Sequence, residues 1–373
     1  MTAIKNLFYP FVPVGHLKVW VLAPSLNNPD PNLDYYYDFT QSIEEYKTVF
    51  ENLELPWKWQ PVTLENYKFI IQEIANEFQK GELFPVVLNL CDGDEINGAP
   101  GISVIKALHE KNIIYTGADD FFYEITTSKI PMKLAFDEAK ISTPKWEHIN
   151  QNEISATNLF QKLGKPVIVK PAVSGGSLGV GIKNVVEKEA ELKQQVQKMF
   201  EGYRGWNFSS EGIIAESFID GPEYTVMIVG SCTQPEFAKI YPPVERVFHK
   251  SLPAKERFLS FDRLWEIYEE ETAMPSQENF YEYAISKGDQ SIEIQKIAWD
   301  AFVAVGGTGY TRVDVRVDQK TGVPYVLEVN AQCGISEDEN YTSIGAILKF
   351  ANQSFTELVI HIINDAFARR RKI

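Results

Sequence analysis

The sequence predicts two kinds of layer in succession: a parallel α/β layer over about the first 120 of 373 residues, then an antiparallel α+β body. Three observations predict this. Early segments alternate strand, loop and helix, the connection that parallel strands require. Later apolar strands follow one another across short turn signals. Apolar residues make up 44% of the chain and aromatics run along its whole length, enough to bury more than one core.

Taken in order, the apolar run 17–22 predicts a first buried strand, ended by Ala23, Pro24 and Ser25. A loop rich in Pro, Asn and Asp follows, and 39–53 has helical spacing. Residues 85–90 (PVVLNL) predict a second buried strand, 91–101 a loop rich in Gly and Asp, 102–111 a helix and 113–115 a short strand. Helix 129–139 stops at Ser142, Thr143 and Pro144. Residues 166–170 predict a strand, 172–181 a glycine-rich loop, 183–185 a returning strand and 187–200 a helix. Strands 212–218 and 224–229 are joined by a turn at Asp220, Gly221 and Pro222. Segment 245–289 is long, charged and aperiodic, and reads as a lid or an insertion. A helix at 291–305, a hairpin of 310–317 with 323–330, and an amphipathic helix at 355–368 complete the chain. The expected units are 1–120, 121–212 and 213–373.

The net charge of −15 argues against nucleic acid, which selects basic faces. The basic run Arg369, Arg370, Arg371 and Lys372 reads as a solvated tail. Cys91, Cys232 and Cys333 are odd in number and dispersed, which speaks against a disulfide framework or a zinc knuckle. His16, His109, His148, His249 and His361 are equally scattered. Pro10, Pro13 and Pro24 break the first segment, so no signal-peptide core is visible, and no apolar run is long enough to span a membrane. A cytoplasmic location without a membrane partner is expected.

Three motifs carry chemistry. In the first, Lys170 leaves a buried strand and a loop containing Gly175, Gly176, Ser177 and Gly179 follows. Such a loop can aim backbone N–H groups at phosphate while the lysine adds a point charge; a plain glycine-rich hairpin reads equally well. In the second, Glu216 and Glu223 flank the stretch Ser217 to Gly221. One reading is a purine site with Glu223 on the ribose; by itself, a solvated turn is the more economical reading. The third is the most specific. Strand alternation places Arg312 with Asp314 on one face, and Glu328 with Asn330 on one face of the next strand. If the faces coincide, three oxygen donors and a guanidinium gather in an otherwise apolar hairpin. That suits Mg²⁺ bridging phosphates better than a polar outer face, because buried charges are costly without a partner.

The order and spacing of these motifs resemble the ATP-grasp superfamily, and within it the D-alanine–D-alanine ligase-like branch. The resemblance covers roughly 85–360, including the loop at Cys91, Asp92, Gly93 and Asp94, and Tyr115, Thr116 and Gly117. It implies an N-terminal parallel α/β domain and two α+β domains (121–212 and 213–373, with the lid-like 245–289) sandwiching ATP. It further implies that Lys129, Lys170, Gly176, Ser177, Glu216, Ser217, Ile219, Glu223 and Lys287 contact ATP. Asp314, Glu328 and Asn330 would hold Mg²⁺, or Mn²⁺ in its place. The reaction implied is phosphorylation of a carboxylate to an acyl phosphate, attack by an amine, and stabilisation of the oxyanion by Arg312 and the Gly334 N–H. Thr342 and Ser343 are weaker candidates for the acceptor carboxylate, and Cys333 reads as a small loop residue. Partners would be small carboxylates and amines; a homodimer is compatible with the sequence, which does not fix the oligomeric state.

The resemblance departs at the amino-acid end. Gly176 stands where D-alanine–D-alanine ligases generally carry the first of two loop serines. No matching acid is recognisable near Ser25. Lys287, not a tyrosine, lies near the lid position, and Glu337, Asp338 and Glu339 look inserted. The expectation is therefore a ligase that is inefficient with two D-alanines. A non-catalytic ATP-binding protein and a carboxylate kinase stay open as alternatives.

Overall fold

The computed structural model describes residues 16–26, 38–80, 83–151, 158–202, 206–261, 278–338 and 342–369. It contains three sheets in chain order. The first is wholly parallel, with strands β1 (Leu17–Pro24), β2 (Trp57–Val62), β3 (Phe84–Asn89) and β4 (Ile114–Tyr115) in the order β2-β1-β3-β4. Helices α1 (Thr40–Asn52), α2 (Tyr67–Lys80) and α3 (Ile102–Glu110) make the crossovers. Strand β2 and helix α2 have no counterpart in the sequence prediction. β2 (WKWQPV) is a half-exposed edge strand that carries a proline, so no apolar run marks it. In α2, exposed Phe69 and Phe78 blur the stripe formed by Ile70, Ile71 and Ile74.

Helices α4 (Asp120–Thr127) and α5 (Lys129–Glu138) follow, capped by Asp119 and Ser128, whose side chains accept from the N–H groups of Phe122 and Ile130. The second sheet is antiparallel: β5 (Trp146–Ile149), β6 (Val167–Pro171), β7 (Val185–Val186) and β8 (Ile213–Ser217), ordered β5-β8-β6-β7. Helices α6 (Leu159–Leu163) and α7 (Glu189–Glu201) cover it. The return predicted at 183–185 is mostly a 3₁₀ turn (Ile182–Asn184), and only Val185–Val186 pairs with β6.

The third sheet is antiparallel, with the path β12-β11-β9-β13-β14 through β9 (Glu223–Ser231), β11 (Val244–Phe248), β12 (Tyr281–Ile285), β13 (Thr308–Val317) and β14 (Pro324–Ala331); β10 (Lys239–Ile240) pairs with β9. Helices α8 (Gly288–Ala304), α9 (Ser343–Ala351) and α10 (Phe355–Arg369) pack around it. The sequence prediction omits α9 because Ile344 to Leu348 are all buried, which leaves no amphipathic period.

Two expectations need correction. Strands β8 and β9 are not a hairpin: they lie in different sheets, and the stretch through Gly221 and Pro222 carries the chain from one to the other. The strand Ile213–Ser217 therefore belongs with the second sheet, not with the C-terminal unit. Segment 245–289 is not a separate insertion at its ends, because β11 and β12 pair antiparallel from Val244 with Ile285 to Phe248 with Tyr281. Its middle, 262–277, lies outside the described residues.

The first and third sheets share their cores. Trp20 and Leu22 of β1 pack in one cluster with Val226, Ile228, Val313 and Val315; Val19 and Val21 pack in another with Met227, Val229 and Tyr310. Period-two alternation thus divides each strand between two buried faces. The second sheet keeps a separate core built on Val167, Val169, Leu192, Val196 and Ile213. No described helix is long and apolar enough to cross a membrane.

Candidate active site

A cavity of about 940 Å³ is lined by residues of the second and third sheets, together with the start of α1 and the loop after β3. One wall is the β13–β14 hairpin, whose register places Arg312 opposite Asn330 and Asp314 opposite Glu328. The two faces expected from the sequence therefore coincide, and all four residues reach the cavity. Arg312 grips Asp314 with two nitrogens, Nε to Oδ1 at 3.1 Å and Nη2 to Oδ2 at 3.0 Å. Asn330 Nδ2 donates to Asp314 Oδ2 at 3.1 Å. Because its amide nitrogen is spent on Asp314, the Asn330 carbonyl oxygen is left to ligate.

This donor set fits Mg²⁺: two carboxylates and an amide oxygen, with further positions for phosphate oxygens and water. No group of three His, Cys, Asp or Glu residues able to hold a metal occurs among the described residues; the third oxygen in this set is the Asn330 side-chain amide.

Beside the hairpin lie the lysines. Lys129 Nζ donates to the Ser174 carbonyl at 3.2 Å and lies 3.8 Å from Glu328 Oε2. Glu216 is buried, with Lys133 at 2.7 Å from one carboxylate oxygen and Lys170 at 2.7 Å from the other. Burial would raise its pKa, but the two ammonium groups more than offset that and hold it at about 2. The solvated-turn reading of Glu216 is thereby overturned. Lys133, wholly buried, also donates to Thr143 Oγ1 at 2.6 Å, and that hydroxyl donates to the Val326 carbonyl at 2.8 Å. Lys133 carries no site role in the sequence reading, because only the fold brings it to Glu216.

The glycine-rich loop lines the cavity with Ser174, Gly175, Gly176 and Ser177. Gly176 and Ser177 have φ of 55° and 61°, left-handed backbone that favours glycine at the first and is held at a cost at the second. Ser217 and Ile219 also line the cavity, but with polar groups already committed. Ser217 donates through Oγ to the Leu163 carbonyl at 2.6 Å and through N–H to the Lys145 carbonyl at 2.9 Å. The Ile219 carbonyl accepts from Arg316 Nη1 at 2.9 Å.

Glu223 stands on the wall as expected, yet its oxygens face two guanidiniums: Arg246, in a close ion pair, and Arg316 at 3.4 Å. Arg246 also sits over the rings of Tyr281 and Tyr283, at 5.3 and 5.7 Å from their centroids. These two arginines and two tyrosines line the cavity and escaped the sequence reading, since an isolated Arg or Tyr in a strand carries no signal. Lys287 is exposed at the start of α8 and is not on the cavity wall, apart from the other residues expected to contact phosphate.

The far wall is built from loops. Cys333, Gly334, Thr342 and Ser343 line it, with Thr40, Gln41 and Glu44 of α1 and Asp92 to Asp94 of the loop after β3. Open space adjoins the Gly334 Cα. The Gly334 loop is tied down by Gln332 Nε2 donating to the Cys91 carbonyl at 2.7 Å and by Ser336 Oγ donating to Glu45 at 2.6 Å. Burial pushes the Cys333 thiol up to about 12, so it stays protonated and non-nucleophilic. The Ser343 hydroxyl is buried without a partner among the described residues.

A family model described as D-ala D-ala ligase C-terminus matches residues 135–364. The chain is 26% identical over 320 residues to a D-alanine–D-alanine ligase of Clostridium beijerinckii, covering 82% of this chain and 93% of that protein. It is 29% identical over 258 residues to D-alanine–D-alanine ligase B of Xanthomonas campestris pv. campestris, covering 68% and 70%. Among solved structures, a D-alanine–D-alanine ligase from Bacillus anthracis complexed with ATP superposes with a TM-score of 0.66 at 20% identity, over 95% of this chain and 99% of that one. D-alanyl-alanine synthetase A from Vibrio cholerae gives 0.66 at 17% identity, over 94% and 98%. The chain therefore belongs to the D-alanine–D-alanine ligase family and is an ATP-dependent, ADP-forming ligase of the ATP-grasp fold.

Proposed function

We propose that this ligase phosphorylates the carboxylate of one amino acid or small acid and joins it to the amine of an amino acid. The observation that carries this reading is the hairpin in which Arg312, Asp314, Glu328 and Asn330 meet across two strands beside Lys129. Asp314, Glu328 and Asn330 would hold Mg²⁺, which neutralises phosphate charge when bound. Lys129 and Lys170 contact phosphates, with Glu216 and Lys133 fixing the Lys170 ammonium. The loop at Gly176 and Ser177 covers the phosphates, and the wall from Ser217 to Glu223 takes the nucleoside. Arg312 and the Gly334 N–H meet the oxyanion formed when the amine attacks. By sheet membership, the domains divide near 120 and after Ser217.

The relatives are named for D-alanine at both positions, so that pair is the first to test. We propose that this chain is inefficient with it. Gly176 offers no hydroxyl to the amino-acid half. Against this, Tyr281 and Tyr283 supply phenols that the sequence around 285–287 does not, so one expected loss has a local substitute. The test is phosphate release with D-alanine alone against a panel of amino acids and small carboxylates. A kcat/KM of about 10⁴ M⁻¹s⁻¹ or more with D-alanine alone would contradict the altered specificity.

A further inference from the structure

We propose that Lys133 is a positioning residue that acts through Glu216: it stays on that carboxylate as a permanent counter-ion, so that Lys170 can turn from Glu216 to a phosphate of ATP. This rests on the reading of Lys170 as a phosphate contact, and adds what frees that lysine to make it. The members of the triad are not equivalent. Glu216 is 1% exposed with a lysine on each oxygen, and side-chain exposure is 0% for Lys133 against 15% for Lys170. Glu216 and Lys170 line the cavity, and Lys133 does not. Of the two cations, only Lys170 can reach a ligand. Lys133 is held from behind. Its Nζ donates to Thr143 Oγ1 at 2.6 Å, that hydroxyl donates to the Val326 carbonyl at 2.8 Å, and the Val326 N–H donates to the Ser142 carbonyl at 2.9 Å. The buried ammonium is thereby fixed against β14, the strand that carries Glu328 and Asn330. Lys170 has no such anchor: among the described residues its one hydrogen bond is to Glu216, at 2.7 Å. Strand register explains the reach. Glu216 of β8 faces Ile168 of β6, so Lys170, two residues further along β6, meets it diagonally.

Two ammonium groups for one carboxylate leave a surplus positive charge beside the cavity, which fits an anionic ligand. Had Glu216 only Lys170, moving that lysine onto a phosphate would strip a buried carboxylate of its counter-ion, which is strongly unfavourable. The attraction that holds the lysine would then oppose the ligand it serves. With Lys133 in place, Glu216 keeps an ion pair throughout, and Lys170 exchanges one anion for another. A buried triad is a poor device for stability alone, since apolar residues of similar volume do as well or better. A cation that has to be exchangeable gives this triad its use.

The test uses the full chain and needs no amino-acid substrate. Dissociation constants for Mg-ATP and for adenosine are measured by titration calorimetry, and the ratio of the adenosine to the Mg-ATP value isolates the phosphates, since changes in the nucleoside site cancel. In Lys133→Gln, which can keep hydrogen bonds to Glu216 and Thr143 but carries no charge, the ratio should fall about 30-fold, because Glu216 then retains Lys170. In the double variant Lys133→Gln with Glu216→Gln, which removes both charges of that pair, it should return to within about fivefold of native. A Lys133 that only filled space would not be rescued by neutralising Glu216. A fall of less than about fivefold in Lys133→Gln, or of more than about fivefold in the double variant, would overturn the assignment; the double variant decides by itself if the single one does not fold. Native protein that binds adenosine no less tightly than Mg-ATP would instead overturn the phosphate reading of this cavity, and the assignment with it.

Discussion

The half of the cavity proposed for the nucleotide and the half proposed for the amine are built differently. The nucleotide half rests on regular strands: Arg312 opposite Asn330 and Asp314 opposite Glu328 on one hairpin, and Lys170 and Glu216 on the neighbouring strands β6 and β8. Its charges are paired before any ligand arrives. The other half is assembled from a helix start, the loop after β3 and the loop after β14, and it leaves the buried Ser343 hydroxyl without a partner among the described residues. Paired charges on strands hold a common cofactor in fixed geometry; unpaired groups on loops are where a substrate is told from its competitors.

The largest effect should come from the hairpin. Glu328→Gln and Asn330→Ala should each lower kcat on the order of 10³-fold, read as Mg²⁺-dependent phosphate release, with melting temperature unchanged. Near-native turnover at ordinary Mg²⁺ in both variants would break the assignment of this half as the metal–phosphate site.

Next comes Glu216→Gln, which leaves the buried Lys133 and the partly buried Lys170 beside a neutral amide. It should cost about 3 kcal/mol of stability in urea titrations, as loss of one partner of a buried ion pair does. The pH dependence has a definite sign. The folded pKa of about 2 lies below the ordinary 4.5, so this carboxylate stabilises the fold above pH 4.5 and loses that contribution as pH falls toward 2. Native protein should show this acid-side loss and Glu216→Gln should lack it; identical acid profiles would contradict the charged triad.

Lys170→Ala should erase the stabilisation by Mg-ATP, about 2.7 kcal/mol at a hundred times Kd, in a thermal-shift titration. A melting curve equally raised in native and variant would place the phosphates elsewhere. The smallest effect is expected at Lys287. Exposed and off the cavity wall, it should change kcat/KM by no more than about twofold on conversion to Ala. A larger loss would mean that 278–289 closes onto the nucleotide and would sharpen the contrast between the halves.

The same contrast explains what the sequence made legible. The hairpin showed itself because alternation alone places residues i and i+2 on one face, and Lys170 because a glycine-rich loop follows it. Lys133, Arg246 and Arg316 stayed hidden: each meets its carboxylate, Glu216 or Glu223, only across separate elements, and no local period records that. Turn chemistry misled at Gly221 and Pro222, where the dipeptide marks a reversal in sequence but not whether the next strand joins the same sheet. Uniform burial hid α9, and partial exposure hid β2.

The central claim, that this cavity joins a carboxylate to an amine at the expense of ATP, is tested most directly by phosphate release from Mg-ATP across an amino-acid panel, each acid supplied alone and with a second amine, with products identified by mass. The account predicts phosphate release that requires an amine, with one amide formed per phosphate. Phosphorylation of a carboxylate without any amine, or stabilisation by Mg-ATP with no phosphate released in any combination, would contradict it.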